Sequence, residues 1–156
     1  MRSPVYRKSQ HGAVAIEFAV LFGIFFAILY AIIAYSLPLL LMLTFKQVAA
    51  DAARAAIAVD PAAGEYAVLL EERVKSVVEG DEDGSWIRHT DWYAPCPGYD
   101  GFSKRPEGSN TLTVCIDYKT DNYNNDPIIP PLPSLPGIGT IPRLPNSIQG
   151  SSTIRL

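Results

Sequence analysis

The amino-acid sequence predicts an α+β protein: a long N-terminal transmembrane and amphipathic helix, a second helix, and a small antiparallel sheet with a proline-rich extended loop. Three patterns support this prediction. An uncharged run of 28 residues extends from Phe18 to Phe45, a helical apolar stripe follows Asp60, and apolar and polar residues alternate from Asn110 to Tyr118. Because the strands follow the helices instead of alternating with them, we expect the sheet to be antiparallel.

The uncharged run is longer than the roughly 20 residues that a helix needs to cross a bilayer. A cleaved secretory signal is the alternative, but its apolar region spans only about 7–15 residues. The first 12 residues carry three basic groups and no acid, whereas the other 144 carry 10 basic and 16 acidic groups. The positive-inside rule therefore places residues 1–12 in the cytoplasm and the acidic body on the other side of the inner membrane, in the periplasm.

This reasoning divides the chain into four parts. They are a basic cytoplasmic leader (1–12), a transmembrane helix (13–45), extracytoplasmic amphipathic helices (46–80) and a small β-rich extracytoplasmic domain (81–156). Three basic residues in the leader and an acidic body offer no patch that could neutralise phosphates. We therefore expect no binding to nucleic acid.

The first helix is expected to run from Ala13 to Val59, with a kink at Pro38, where one backbone hydrogen bond is lost. Outside the membrane its apolar side is formed by Phe45, Val48, Ala52, Ala55 and Val59. Asp60-Pro61 resembles a helix cap followed by a first-turn proline, so a second helix is expected from about Pro61 to Glu79, ending at Gly80. On this helix Glu71 and Lys75 are spaced to form an ion pair.

Three segments are candidates for the sheet. Asn110 to Tyr118 shows the clearest alternation, and the final residues, from Ile148 to Leu156, repeat the same period. Trp86 to Thr90 is the third candidate strand. The order of the strands in the sheet does not follow from the sequence.

The segment 127–145 contains seven of the 13 prolines. Within it an isoleucine or leucine recurs at every third position, at Ile129, Leu132, Leu135, Ile138, Ile141 and Leu144, each followed by proline or glycine. Polyproline II has three residues per turn, so the repeat predicts an extended rod with an apolar edge. This edge either covers the core of its own domain or docks on a neighbouring subunit.

Glu17 lies one turn inside the apolar run, where an isolated carboxylate is costly. One interpretation places it at the lipid headgroups beside Arg7 or Lys8. The other involves the peptide bond between Gly12 and Ala13, because its cleavage would create an α-amine four residues before Glu17, on the same helix face. The carboxylate could then neutralise this amine, or that of a neighbouring subunit, and so set the packing register of otherwise interchangeable apolar helices.

A basic leader, a glycine, a glutamate at the fifth position after it and a long apolar helix resemble a prepilin peptidase substrate. The segment Gly12-Ala13-Val14-Ala15-Ile16-Glu17-Phe18 is most similar to the TadE-like pseudopilins of tight-adherence (Tad, or Flp-type) pilus systems. The resemblance implies cleavage between Gly12 and Ala13, and an assembly role for Glu17 and Phe18.

This resemblance also implies a minor, non-enzymatic structural subunit of an adhesion pilus. Its partners would be membrane lipid, the prepilin peptidase, other pilins or pseudopilins and the pilus assembly platform. The alternative is an uncleaved single-pass anchor that presents an extracytoplasmic binding domain.

Cys96 and Cys115 are the two cysteines, and both fall in the part expected outside the cytoplasm. Oxidising compartments favour disulfides, so we expect a bond between them. His89 is the one histidine outside the leader, and the nearby Asp91 does not complete a catalytic triad.

The remaining candidates for a ligand site are weak. Glu79, Asp81, Glu82 and Asp83 lack the spacing of a calcium-binding EF-hand loop. Trp86, Trp92, Tyr93 and Tyr99 are as easily explained by core packing as by a binding surface. We therefore assign no catalytic, cofactor-binding or metal-binding residue.

Overall fold

The computed structural model describes residues 11–80, 86–106, 108–119, 123, 125–130, 132–135, 139–141 and 145–156. Its helices are α1 (His11–Ala56), α2 (Tyr66–Glu79) and a short 3-10 helix (Trp86–His89). Its strands are β1 (Tyr93–Pro95), β2 (Ser103–Lys104), β3 (Thr111–Tyr118), β4 (Leu132–Leu135), β5 (Gly139–Ile141) and β6 (Gln149–Arg155). A long apolar helix, a second helix and a small antiparallel sheet confirm the predicted α+β class.

Helix α1 is continuous over 46 residues, but its surroundings change along its length. From Gly12 to Leu29 every side chain is exposed, whereas Leu41 and Phe45 are fully buried. Pro38 lies inside the helix and is buried as well. The helix ends at Ala56, three residues earlier than predicted, because the next residues close turns through hydrogen bonds to carbonyls three positions back. One end of α1 is therefore bare, and the other end belongs to the domain core.

Helix α2 begins at Tyr66, five residues later than predicted, and ends at Glu79 before Gly80 as expected. Asp60 does not cap this helix; its hydrogen bonds close a turn before it. Its Oδ1 accepts a 2.9 Å hydrogen bond from the N–H of Ala62, and its carbonyl accepts one from Ala63. The predicted pair of Glu71 with Lys75 is wrong, because Lys75 Nζ lies 3.8 Å from Glu79 and the Glu71 carboxylate is bound elsewhere.

Strand β3 is the centre of the main sheet, and all its pairings are antiparallel. On one side it pairs with β1 near its end and with β2 near its start, so that Pro95 lies opposite Ile116 and Ser103 opposite Val114. On the other side β6 pairs along nearly the whole strand. The predicted apolar face, Leu112, Val114, Ile116 and Tyr118, is buried to at least 96%. On the other face Cys115 and Asp117 are buried too, so burial alternates only in the first half of the strand.

The core lies where the sheet packs against the outer end of α1 and against α2. Its members include Leu41, Phe45, Val48, Ala49, Ala52, Ala53 and Ala56 from α1, Leu70, Val74 and Val78 from α2, and the apolar residues of β3 with Ile148. Alanines line this part of α1, so the backbone of β6 can lie close to the backbone of the helix. A side-chain carbon added to Gly150 of β6 would lie 2.7 Å from Cβ of Phe45.

Two further predictions about local structure are wrong. Trp86–His89 is a 3-10 helix instead of a strand, because the N–H and the hydroxyl of Thr90 both donate to the carbonyl of Ile87, at 3.0 and 2.7 Å, and close a turn. The extended rod predicted for the proline-rich segment is not found among its described residues, because β4 and β5 pair antiparallel. The predicted rod positions Ile138 and Leu144 lie outside the described residues. The residues between the prolines keep their N–H groups, so they can pair. The pairing is irregular between Leu132 and Leu135, where Pro133 has no N–H to donate.

Two buried tyrosines hold the chain that follows β3. Tyr118 and Tyr123 are 4% and 0% exposed, and their rings meet edge to face with centroids 4.9 Å apart. The Tyr118 hydroxyl donates to the carbonyl of Asp126 at 2.9 Å, and the Tyr123 hydroxyl accepts from the N–H of Ile128 at 3.2 Å. These bonds fix the start of the proline-rich segment on the core.

We expect the domain to lose stability as the pH rises from about 10 to about 12. Burial, together with the charge of Asp126, raises the pKa of Tyr118 from 10.0 to about 12, and burial raises that of Tyr123. A phenol that holds its proton more tightly when folded favours folding below its unfolded pKa and loses this contribution as the pH passes the folded pKa. Thermal unfolding across this pH range should show the loss, and Tyr118→Phe should reduce its slope. An unchanged slope in Tyr118→Phe would assign the effect to other groups.

Candidate assembly and processing site

Gly12 and Ala13 lie in the first turns of α1, which begins at His11, and both are exposed. The space around Gly12 is open, since an added side-chain carbon would meet no other atom of the described chain within 4 Å. Residues 1–10 of the leader lie outside the described residues, and so does the interpretation that pairs Glu17 with Arg7 or Lys8. The described part of the folded domain therefore does not cover the peptide bond between Gly12 and Ala13.

Glu17 and Phe18 lie one turn after Ala13 and are also exposed. The described part of the chain provides no ion pair for Glu17. Phe18 is 66% exposed, and its ring stacks on Phe22, which contacts Phe26 at 4.5 Å between centroids. The Glu17 carboxylate and the rings of Phe18, Phe22 and Phe26 are thus all exposed on a part of α1 that the domain does not cover.

The exposed apolar surface of α1 is longer than a bilayer is thick. Large apolar side chains at intervals from Val14 to Leu43 are between 40% and 69% exposed. These 30 residues extend over about 45 Å of helix, whereas the hydrocarbon core of a bilayer is about 30 Å thick. A bilayer core would therefore cover about 30 Å of this surface and leave about 15 Å of it uncovered.

The predicted disulfide between Cys96 and Cys115 is present. Their Cα atoms are 5.6 Å apart, and both side chains are buried. Cys115 lies on β3 between the residues that pair with β1 and those that pair with β2, and its N–H donates to the carbonyl of Phe102 at 2.9 Å. The bond therefore ties the loop between β1 and β2 to the central strand.

Replacing both cysteines with alanine is expected to lower the free energy of unfolding by roughly 3 kcal/mol, because the bond closes a loop between residues 19 positions apart. Chemical denaturation of the full chain in detergent, compared with the parent under oxidising conditions, measures this loss. Reduction of the parent should reproduce it. An unchanged midpoint in both experiments would show that the loop is held by its hydrogen bonds alone.

Glu71 makes a contact that the sequence did not indicate. Its Oε1 accepts a 2.9 Å hydrogen bond from the N–H of Phe102, and its other oxygen accepts one from the hydroxyl of Ser103. Gly101 allows this approach, because a side chain there would collide with the carboxylate. Helix α2 is thereby fastened to the start of β2.

Among the residues that the structure describes, no further candidates come together as a site. His89 and Asp91 are both exposed, and Trp92 and Tyr93 pack partly against the core. In the described part of the chain, no group of three or more histidine, cysteine or acidic residues has the arrangement of a metal site. The acidic residues 81–83 lie outside that part.

The geometry defines a class of protein: a small α+β domain carried on one long apolar helix, consistent with a single-pass membrane anchor. Residues 12–54 match the family of TadE-like proteins. The matched segment begins at Gly12 and covers nearly all of α1, which confirms the resemblance based on the first residues of this helix. No curated protein and no solved structure matches the chain.

Proposed function

We propose that this chain is a minor pseudopilin-like structural subunit that is processed by prepilin peptidase after Gly12 and takes part in assembling a Tad/Flp-type adhesion pilus. Its helix lies in the inner membrane, with the leader in the cytoplasm and the domain in the periplasm. The main support is α1 itself, which matches the TadE-like family and exposes an apolar surface about 15 Å longer than the bilayer core. The subunit acts by recognition and packing, without catalysis.

The excess apolar length supports assembly over simple anchoring. A helix that only anchors a domain needs about 20 apolar residues, and the surface beyond them would face water at a cost. Helices of other pilins or pseudopilins would cover Leu39, Leu40 and Leu43, which the domain leaves exposed. Glu17 would then fix the register, because its carboxylate can pair with the α-amine that cleavage creates on its own chain or on a neighbour.

The test of processing is intact mass and N-terminal sequencing of the membrane-extracted chain, expressed with and without a prepilin peptidase. We expect a chain that begins at Ala13 only when the peptidase is present. Gly12→Val should block cleavage, and Gly23→Ala, at another exposed glycine of α1, should not. Retention of residues 1–12 beside an active peptidase would contradict the proposal and support the uncleaved anchor with a binding domain.

Glu17→Gln is expected to preserve cleavage and to reduce incorporation into assemblies by roughly tenfold, equivalent to about 1.4 kcal/mol. The variant keeps the size of the side chain and removes the charge that would pair with the amine. Cross-linking to pilus components in membranes and recovery in the sheared pilus fraction measure incorporation. The control is Glu72→Gln, an exposed glutamate on α2. Incorporation at the parent level would exclude the electrostatic role of Glu17.

A further inference from the structure

The stretch Pro127–Pro130, here called the α1-flanking segment, lies against the helix that is proposed to enter the membrane. The Tyr30 hydroxyl donates a 2.6 Å hydrogen bond to the carbonyl of Pro130, across 100 positions of sequence. From the domain side, the segment is held by the bond between Ile128 and Tyr123. It is therefore fixed between the core and a turn of α1 that lies well inside the apolar run.

The level of this contact along α1 can be compared with the thickness of a bilayer. Tyr30 is 18 residues beyond Gly12, a distance of about 27 Å along the helix. All side chains from Gly12 to Leu29 are exposed, and Ala34, one turn beyond Tyr30, is fully buried. The hydrocarbon core is about 30 Å thick. If it begins near Gly12, its outer boundary falls at the level of Tyr30 and the α1-flanking segment.

The composition of the segment suits this level. None of its four residues is ionisable, and two of them, Pro127 and Pro130, have no N–H to leave unpaired in an apolar medium. The carbonyl of Pro130 has its donor in Tyr30, and tyrosine is enriched at membrane interfaces. The nearest acid, Asp126, forms an ion pair with Lys119 at 3.4 Å. Pro130 is exposed, and Ile128 and Ile129 are partly exposed.

We propose that the α1-flanking segment lies in the outer interfacial layer of the bilayer and contacts lipid at the boundary between headgroups and acyl chains. The domain would then meet the membrane at two places, through α1 and through this segment. Lipid is the expected occupant because the partly exposed Ile128 and Ile129 and the exposed Pro130 lie beside the exposed apolar side of α1, at the depth where the hydrocarbon core would end. The inference depends on the insertion of α1 that the proposed function requires.

The test uses the full chain, with its disulfide intact, in phosphatidylcholine–phosphatidylglycerol vesicles. A spin label is attached to Ile129→Cys, and its collision rates with oxygen, which concentrates in lipid, and with a water-soluble nickel chelate are measured. Ile24→Cys, at a 54% exposed position of α1, is the lipid reference. Val68→Cys, at a 53% exposed aliphatic position of α2, is the aqueous reference. We expect Ile129 to favour oxygen, as Ile24 does, and Val68 to favour nickel.

The three positions separate the possible failures. A nickel-accessible Ile129 beside a lipid-exposed Ile24 would overturn the inference and leave the proposed function intact. A nickel-accessible Ile24 would show that α1 is not inserted in the membrane, and this result would contradict both proposals. An Ile129 label shielded from both reagents, increasingly so at higher protein-to-lipid ratios, would assign the segment to contact with a second copy and also overturn the inference. If Ile129→Cys fails to fold, the label is placed on the exposed Pro130 instead.

Discussion

Gly150→Val is expected to destabilise the folded domain by more than about 3 kcal/mol, above the usual cost of an oversized core side chain. An added side-chain carbon at this position would lie 2.5 Å from the carbonyl carbon of Phe45 and closer still to the backbone nitrogen of Lys46. Backbone atoms of a helix cannot rotate away as a side chain can. Strand β6 would have to move off α1, and its pairing with β3 opposite Ile116 would move with it.

The measurement is the thermal unfolding midpoint of the full chain in detergent, followed by near-ultraviolet circular dichroism. Gly64→Val is the matched control, because Gly64 is exposed in the turn before α2 and has no atom within 4 Å of an added carbon. Valine favours strands, so its intrinsic preference works against the predicted loss at Gly150. Equal shifts for the two variants would show that β6 does not pack closely on α1.

Phe45→Ala is expected to lower the free energy of unfolding by about 3–5 kcal/mol, the usual loss when a large aromatic side chain is removed from a core. Phe45 is fully buried, although it is the last residue of the uncharged run that the sequence assigned to the membrane. In the structure its ring contributes to the domain core and not to the exposed surface of the helix.

Phe22→Ala is the control, because Phe22 lies on the same helix but is 51% exposed. This variant should leave the stability of the domain unchanged and weaken only the contacts of its ring with Phe18 and Phe26. Chemical denaturation in detergent compares the two variants. Equal losses would mean that the exposed and buried parts of α1 are not energetically separate, and would contradict the division described above.

The elements with strong periodic signals could be predicted from the sequence. The sequence of β3 alternates because its apolar face lies in the core, and that of β6 alternates for the same reason, with Ile148 fully buried directly before the strand. The disulfide also followed, since two cysteines in an oxidising compartment have one possible partner each. Long-range order did not follow: one edge of β3 is shared by β1 and β2, and only the folded chain shows it.

The errors arose where a few hydrogen bonds decide the local structure. The bonds from Thr90 to Ile87 turn the chain into a 3-10 helix, and a cap at Asp60 serves a turn as well as it serves a helix. A repeat of three residues is compatible with polyproline II, but it does not exclude the antiparallel pairing of β4 with β5. Propensity could not distinguish these alternatives.

Part of the candidate site could be predicted from the sequence because its residues are neighbours in the chain. Gly12, Ala13, Glu17 and Phe18 form a local motif at the start of α1, and their roles in processing and assembly remain predictions. The contact of Tyr30 with Pro130 joins residues 100 positions apart, so no local pattern could reveal it. The hydrogen bonds from Phe102 and Ser103 to Glu71 could not be predicted for the same reason.

The continuity of α1 has a mechanical consequence. The last four turns of this helix are part of the domain core, with β6 pressed against its backbone at Gly150, and no flexible linker separates them from the exposed part. Tension along the axis of α1 would act directly on the packing of α1 against β6. Through β6 it would also act on the hydrogen bonds that pair β6 with β3. A pull on the exposed part of α1 would therefore move the domain with it, without the slack that a hinge would provide.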